Sequence, residues 1–267
     1  MGFLEAVAQR RLVLDGGLST WLGVKGHDLS DELWSARLLV HDPDAIVAAH
    51  GDFIRAGADV ITTASYQATE AGFAKRGIDS QGFRAILHRS VALAREAIDR
   101  AGEARPIYVA ASVGPYGAML ADGSEYTGNY GLTVDELVRF HRDRLLMLAE
   151  AGPDVLALET VPDIREAEAL LEALEGVGVP AWLSYSIKGD RTCAGQPLAD
   201  ALAADLVGVN CCAPEDVPGA IATLAKTGRP LVVYPNRGIE PWPEARLIGG
   251  CCDTTPADIA CISSRLP

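Results

Sequence analysis

Cysteine is the residue type whose placement in this chain points most clearly to chemistry. Four of the six cysteines form two adjacent pairs, Cys211-Cys212 and Cys251-Cys252, and each pair ends an apolar run typical of a buried strand. Six cysteines in 267 residues do not make a disulfide scaffold, and adjacent pairs suit metal binding or thiol chemistry better. The pairs are therefore the first candidates for a functional site.

Three of these thiols are predicted to share one zinc ion. If their runs are the sixth and eighth strands of a barrel, the strand ends lie close enough for bonds of about 2.3 Å to one ion. Cys251 and Cys252 would point to opposite faces of a regular strand, so the backbone must leave strand geometry there, and Gly249-Gly250 makes that bend easy. Cys251, Cys252 and one cysteine of the Cys211-Cys212 pair are thus the predicted metal ligands and catalytic residues, with a fourth position left open.

Two other interpretations of the cysteines stay open. Cysteine often packs as a small buried hydrophobe, which is what we expect of the isolated Cys193 and Cys261. A vicinal disulfide between Cys251 and Cys252 is the other alternative, although a reducing cytosol disfavours it. The histidines fall in loop or helix patterns, where we expect solvated or capping residues rather than ligands: His27, His41, His50, His88 and His141.

Eight short runs rich in Val, Ile and Leu are the elements that must position these residues. Continuous apolar runs are typical of parallel strands buried on both faces, and helix-period stretches alternate with them. The pattern predicts one α/β domain over residues 1–267, a (β/α)8 barrel of the TIM type, with its active site at the carboxyl ends of the strands. The predicted strands are Arg11–Gly17, Asp59–Ser65, Ile107–Gly114, Val155–Thr160, Ala181–Ile187, Val207–Cys212, Leu231–Asn236 and Leu247–Cys252.

The connection between the seventh and eighth runs is shortened. Elsewhere the helix signals are regular: Asp42-Pro43 opens one helix and Thr133–Glu136 forms a capping box. Only ten residues, Arg237–Arg246, separate the last two runs, and two are prolines, so no covering helix of normal length fits. This flank is bare, covered by a partner, or covered by the chain termini. The glycines expected to end helices are Gly57, Gly102, Gly152 and Gly228.

Charge and hydropathy exclude several classes of function. The net charge is −13, and Lys and Arg are scattered, so no basic face is available for nucleic acid. No apolar run reaches the roughly 20 residues of a membrane span, and the first residues lack the pattern of a signal peptide. We expect a cytoplasmic protein without nucleic-acid or membrane partners.

Three thiolates also restrict the reaction. Zinc held by three thiolates carries a net charge near −1, which makes it a poor Lewis acid for activating water. A substrate thiol in the open position would be deprotonated and remain nucleophilic at neutral pH. The expected chemistry is alkyl transfer to sulfur.

A set of motifs along the chain resembles the homocysteine S-methyltransferase family, from about Leu12 to Ile259. NC followed by GGCC is highly specific for the zinc site of that family, and the resemblance implies that Cys211, Cys251 and Cys252 bind Zn²⁺. The motifs are LDGG (14–17), TASYQAT (63–69), GPYGA (114–118), DGSEYTGNYG (122–131), LETVPD (158–163), VGVNCCAP (207–214), YPN (234–236) and LIGGCC (247–252).

The resemblance further implies a zinc-bound homocysteine thiolate that displaces methyl from S-methylmethionine or S-adenosylmethionine, giving methionine. Asp15 and Glu159 are expected to hold the amino group of homocysteine, unless they are structural acids bound to helix N-termini or Arg. The other predicted substrate-binding residues are Gly16 and Gly17, whose amides suit the carboxylate, with Thr63, Asn210 and Asn236. The two asparagines are expected either to orient the zinc ligands or to bind the amino acid portion of the donor. Cation-π contacts to the sulfonium, or core packing, are open for Tyr66, Tyr116 and Tyr126.

The short segment before the eighth strand departs from the family, whose members usually carry several tens of residues and a helix there. The chain is then a compact natural member, an engineered deletion or a redesigned barrel, and an exposed flank would favour a homo-oligomer. Two alternative functions remain: the same transfer from another donor, betaine or a corrinoid, and a barrel that holds zinc without turnover.

Overall fold

The computed structural model describes residues 1–30 and 33–266 and contains a parallel eight-stranded barrel. The strands are β1 (Leu12–Val13), β2 (Val60–Thr62), β3 (Tyr108–Val113), β4 (Val155–Val161), β5 (Ala181–Tyr185), β6 (Leu206–Asn210), β7 (Leu231–Tyr234) and β8 (Ala245–Ile248). Their order around the sheet is β1-β8-β7-β6-β5-β4-β3-β2. A parallel bridge between Leu14 and Val60 joins the two edge strands, which closes the ring. The predicted (β/α)8 fold is therefore confirmed.

Alternation along the strands separates two apolar clusters, one inside the barrel and one beneath the helices. In β4, Val155 and Ala157 belong to the inner cluster, while Leu156 and Leu158 belong to the outer one. Both faces are therefore buried, which is why the strands appear in the sequence as continuous apolar runs. The same alternation directs Glu159 inward at the carboxyl end of the barrel.

Helices cover most of the outer face. Their ends follow the predicted signals: Asp42 caps the helix Pro43–Arg55, and the Thr133–Glu136 capping box forms at the start of the helix Val134–Glu150. The predicted terminal glycines all adopt positive φ, from +64° at Gly102 to +103° at Gly57. The helices are α1 (Phe3–Gln9), α2 (Leu18–Val24), α3 (Leu38–His41), α4 (Pro43–Arg55), α5 (Glu70–Ala74), α6 (Ser80–Ala101), α7 (Tyr116–Leu120), α8 (Val134–Glu150), α9 (Ile164–Ala173), α10 (Val217–Leu224) and α11 (Pro256–Arg265). No helix in the described ranges is long and apolar enough to cross a membrane.

Two strand connections lack a covering α-helix. After β5, a short antiparallel hairpin, Ile187–Lys188 with Arg191–Thr192, and a 3-10 turn fill the connection in place of a helix. The shortened connection before β8 is coil, as predicted. Its flank is not bare, because Ile239 and Trp242 pack against the outer cluster. The C-terminal helix α11 also reaches this coil, where Arg265 pairs with Glu240 at 2.8 Å. The oligomer and the cytoplasmic location stay predictions.

Candidate active site

A cavity that opens to solvent lies at the carboxyl ends of the barrel strands. Residues of seven strands, or of the segments that follow them, line it: β1, β2, β3, β4, β6, β7 and β8. Among the lining residues are both predicted acids and all three predicted zinc ligands: Asp15, Glu159, Cys211, Cys251 and Cys252. The fold therefore brings these predicted residues to one place.

The thiols of Cys211, Cys251 and Cys252 form one cluster. Their three sulfur atoms lie within 4.8 Å of one another, so the group could hold a metal ion. The Cys211 and Cys252 sulfurs are 3.6 Å apart. Hydrogen bonds from the other two thiols stabilise the Cys252 thiolate and lower its pKa to about 4. A ligand set that already favours one thiolate is suited to a cation.

The backbone at both cysteine segments has left strand geometry. The strand β6 ends at Asn210, and Cys211 adopts a left-handed φ of +49°. The strand β8 ends at Ile248, so Cys251 and Cys252 lie beyond it. This is the departure that the sequence required.

Gly249 and Gly250 were predicted to bend the backbone through their conformational freedom, and the structure shows a different role for them. Neither is among the glycines with positive φ, so conformational freedom is not what the bend uses here. A Cβ on Gly249 would lie 2.6 Å from the Asp15 carbonyl oxygen, and one on Gly250 would lie 2.5 Å from the Thr254 hydroxyl. Gly249 thus permits close packing of the cysteine segment on the loop that carries Asp15, and Gly250 permits close packing of that segment on Thr254.

Two asparagines hold the thiol cluster from behind. Asn210 is fully buried, and its Oδ1 accepts from the Thr160 backbone at 2.7 Å and from Ser184 at 2.8 Å. Its Nδ2 donates to Thr160 Oγ1 at 2.8 Å and to the Cys251 sulfur at 3.9 Å. Asn236 Oδ1 accepts from the backbone N–H of Cys252 at 3.0 Å. Both amides therefore orient the cysteine segments.

Asp15 and Glu159 are buried carboxyl groups that face the cavity. Asp15 accepts hydrogen bonds from the backbone and hydroxyl of Thr62 at 2.7 and 2.9 Å, and Glu159 accepts one from Ser112. Burial raises the pKa of Asp15 to about 8, with Glu159 adding repulsion, and raises the pKa of Glu159 to about 7. In the described residues neither acid forms a salt bridge, and a cationic group in the cavity would relieve this cost.

The predicted carboxylate contacts near β1 and β2 are mostly engaged within the protein. The Gly17 amide donates to Thr254 Oγ1 at 2.8 Å, so it is not a free donor for a ligand. A Cβ on Gly16 would lie 2.8 Å from Phe53, which explains the glycine by packing. Thr63 lines the cavity, but its hydroxyl bonds Ser65 and accepts from the backbone of Ser112.

The three tyrosines separate into two groups. Tyr66 and Tyr126 line the cavity, and the Tyr126 hydroxyl lies 3.3 Å from the Cys211 sulfur. Tyr116 packs instead against Tyr130 and Phe140, with ring centroids 5.2 and 4.9 Å apart. Only the first group is placed to contact a ligand in the cavity.

Several expectations were wrong or incomplete. His50 and His141 are fully buried rather than solvated. Cys261 is exposed on α11 and Cys193 is only half-buried, so neither is a buried hydrophobe. Thr62, Ser112 and Tyr234 also line the cavity but are not among the residues predicted from the sequence. Strand alternation was the available signal, because each lies an even number of residues from an inward-facing one.

The fold and the site together define the class of this protein: an enzyme built on a parallel β-barrel, with a cluster of three thiols at the mouth of its cavity. A family model described as homocysteine S-methyltransferase matches residues 12–266. The chain is 42% identical to homocysteine S-methyltransferase YbgG of Bacillus subtilis, over 93% of this chain and 92% of the relative. It is also 42% identical to the homocysteine S-methyltransferase of Escherichia coli, over 95% and 94%.

A solved structure agrees with these similarities. The crystal structure of homocysteine methyltransferase MmuM from Escherichia coli in a metallated form superposes with a TM-score of 0.88 at 44% identity, covering 96% of each chain. The chain belongs to the homocysteine S-methyltransferase family.

Proposed function

We propose that this protein transfers a methyl group from S-methylmethionine or S-adenosylmethionine to homocysteine and forms methionine, with Zn²⁺ held by Cys211, Cys251 and Cys252. The observation that carries the proposal is the cluster of three sulfur atoms within 4.8 Å at the mouth of the cavity. Family membership supports the acceptor and the type of reaction.

The residues present fit a zinc ion. Sulfur donors favour zinc over magnesium or calcium, and three ligands leave one tetrahedral position for an exogenous group. The cluster is also supported from outside, since Asn210 donates toward the Cys251 sulfur and Asn236 fixes the Cys252 backbone. Bound in this cluster, zinc would lower the pKa of an incoming thiol and keep its sulfur nucleophilic.

The two buried acids bind the acceptor in this proposal. Asp15 and Glu159 lack a salt bridge in the described part of the chain, and their pKa values of about 8 and about 7 show that ionisation is costly without a counter-ion. The ammonium group of homocysteine supplies that counter-ion and lowers both pKa values. The amino acid end is thereby fixed, and the sulfur is directed toward the thiol cluster.

The transfer itself is an in-line displacement. The thiol proton of homocysteine leaves to solvent, its sulfur forms a bond to the donor methyl carbon, and the bond from that carbon to the sulfonium sulfur breaks. The electron pair stays on the departing sulfur, which becomes a neutral thioether. The protein contributes by positioning both sulfurs and excluding water from the cavity.

Metal content and product formation together test the proposal. We expect about one zinc per chain, and methionine from homocysteine with S-methylmethionine or S-adenosylmethionine but not with betaine. Cys252→Ala should abolish both zinc binding and transfer, whereas Cys261→Ala, at an exposed thiol on α11, should keep both. Zinc retained in full by Cys252→Ala would contradict the ligand set. Methionine from betaine alone would contradict the donor, and zinc without product from any donor would contradict the enzyme.

A further inference from the structure

A second group of buried titratable side chains lies between α8 and α9, outside the cavity lining. It consists of His141, Arg144 and Glu166, which are at most 3% exposed. His141 Nε2 and Glu166 Oε1 are 2.9 Å apart, and Arg144 Nη2 lies 3.1 Å from His141 Nδ1. We call these three residues the buried charge network.

The contacts define the protonation of His141. Arginine can only donate, so Nδ1 must accept from Arg144 and Nε2 must carry the proton that is donated to Glu166. Burial lowers the pKa of His141, which agrees with a neutral ring. The network thus contains one cation, one anion and a neutral histidine that connects them. Such a buried set is costly unless each member is well bonded.

Besides their contacts with His141, the two charged residues bond backbone atoms on either side of Pro115. Arg144 donates to the Gly114 carbonyl at 2.5 Å, and Glu166 accepts from the Tyr116 N–H at 2.5 Å. Proline has no N–H, so the chain at this point lacks a donor of its own. The network therefore fixes the entry to the segment that follows β3, residues 116–130, which we call the tyrosine loop.

The tyrosine loop begins and ends beside the network. The rings of Tyr116 and Tyr130 lie 5.2 Å apart, and the negative charge of Glu166, after burial itself, contributes to a raised pKa of Tyr130. Within the loop, Tyr126 extends to the thiol cluster, with its hydroxyl 3.3 Å from the Cys211 sulfur. A loop with close ends keeps its geometry only as well as those ends are held.

Tyr126 marks the outer side of the cavity. Its relative exposure is 36%, compared with 2% for Asp15 and 7% for Glu159. If the acids bind the ammonium group of homocysteine, the methyl donor must enter from the side of Tyr126. The position of the tyrosine loop then affects binding of the methyl donor more than binding of homocysteine.

We propose that Glu166, His141 and Arg144 are positioning residues that hold the tyrosine loop so that Tyr126 closes over the thiol cluster and shapes the donor site. This inference rests on the proposed function for its kinetic part alone. The network is not part of the cavity lining and does not contact the thiols, so its effect passes through the backbone atoms that it bonds, at Gly114, Tyr116 and Ala68.

Paired variants of the full-length protein test this role. Glu166→Gln removes the charge, and His141→Leu removes both hydrogen bonds, whereas His141→Gln retains one donor and one acceptor. Glu168→Gln, at an exposed position of the same helix, is the matched control. We expect the first two to raise the KM for S-methylmethionine about tenfold while the KM for homocysteine and the zinc content stay within twofold. The other two should match the wild type.

A second measurement does not depend on catalysis. In metal-free, reduced protein, Tyr126 shields Cys211, so Glu166→Gln and His141→Leu should increase the rate of Cys211 alkylation by iodoacetamide several-fold, as read by mass spectrometry. Equal increases in both KM values, or an unchanged alkylation rate in a folded variant, would overturn the positioning role. Absence of methyl transfer in the wild type would instead contradict the proposed function and leave the alkylation test decisive for the loop.

Discussion

Replacement of Asp15 by Asn distinguishes the free-energy cost of burying a carboxylate from its contribution to homocysteine binding. Asn retains the shape, and its oxygen can accept from the Thr62 N–H while its amide donates to the Thr62 hydroxyl, which replaces both hydrogen bonds of the carboxylate. The substitution therefore removes the charge and little else. We expect a variant that is more stable than the wild type at alkaline pH and that binds homocysteine poorly.

The magnitude follows from the pKa of Asp15. Folding raises this pKa from 3.8 to about 8, so the folded state binds the proton more tightly than the unfolded state. The stability that the protonated group contributes is complete below pH 3.8 and is lost as the pH rises to about 8. Each pH unit in that window costs about 1.4 kcal/mol, which gives about 2 kcal/mol between pH 6 and pH 8.

Urea unfolding of metal-free, reduced protein at pH 6 and pH 8 measures this difference. The free energy of unfolding of the wild type should fall relative to Asp15→Asn by about 2 kcal/mol over that interval. The variant should bind homocysteine roughly 10- to 100-fold more weakly, because it loses a charged hydrogen bond. The same pH dependence of unfolding free energy in both proteins would show that burial of the Asp15 carboxylate does not destabilise the fold. Equal affinity for homocysteine would show that Asp15 does not bind its ammonium group.

Two further substitutions test how the thiol cluster is held. Asn210→Ala leaves the buried Thr160 N–H and Ser184 hydroxyl without their acceptor, so we expect a loss of about 2–4 kcal/mol in unfolding free energy by urea titration; a loss below about 1 kcal/mol would contradict this role. Gly17→Ala places a Cβ 2.5 Å from the Cys251 carbonyl oxygen and should weaken zinc binding at least tenfold in chelator competition. Gly219→Ala, with open space at its Cβ, should leave zinc affinity unchanged, and equal affinity in both alanine variants would refute the packing argument.

Local pattern was enough to predict the barrel and the place of its site. Strands buried on both faces must be apolar throughout, and residues such as Val155 and Leu156 carry that requirement in the sequence. Carboxyl ends of parallel strands converge, so Glu159 and Cys211 could be placed together although they are far apart in the chain. The thiol cluster required only that the backbone bend at the strand ends.

Features that depend on long-range packing could not be predicted in this way. The sequence predicts a solvated or capping His141, because its partner Glu166 lies 25 residues away on another helix. The Gly17 N–H is predicted to be free for a ligand, but it donates a hydrogen bond to Thr254, a residue 237 positions further along the chain. The sequence predicts that the segment before β8 lacks a helix, but only the structure shows that Trp242 covers this flank of the barrel. In each case the deciding contact joins segments whose sequences do not indicate each other.

X-ray absorption at the zinc K-edge tests the central claim most directly. On zinc-loaded wild-type protein we expect three sulfur neighbours at about 2.3 Å and one lighter ligand, which a fourth sulfur replaces when homocysteine is added. Cys261→Ala should give the same spectra. A first shell dominated by nitrogen or oxygen, or a sulfur number that does not rise with homocysteine, would contradict zinc-thiolate activation in this cluster.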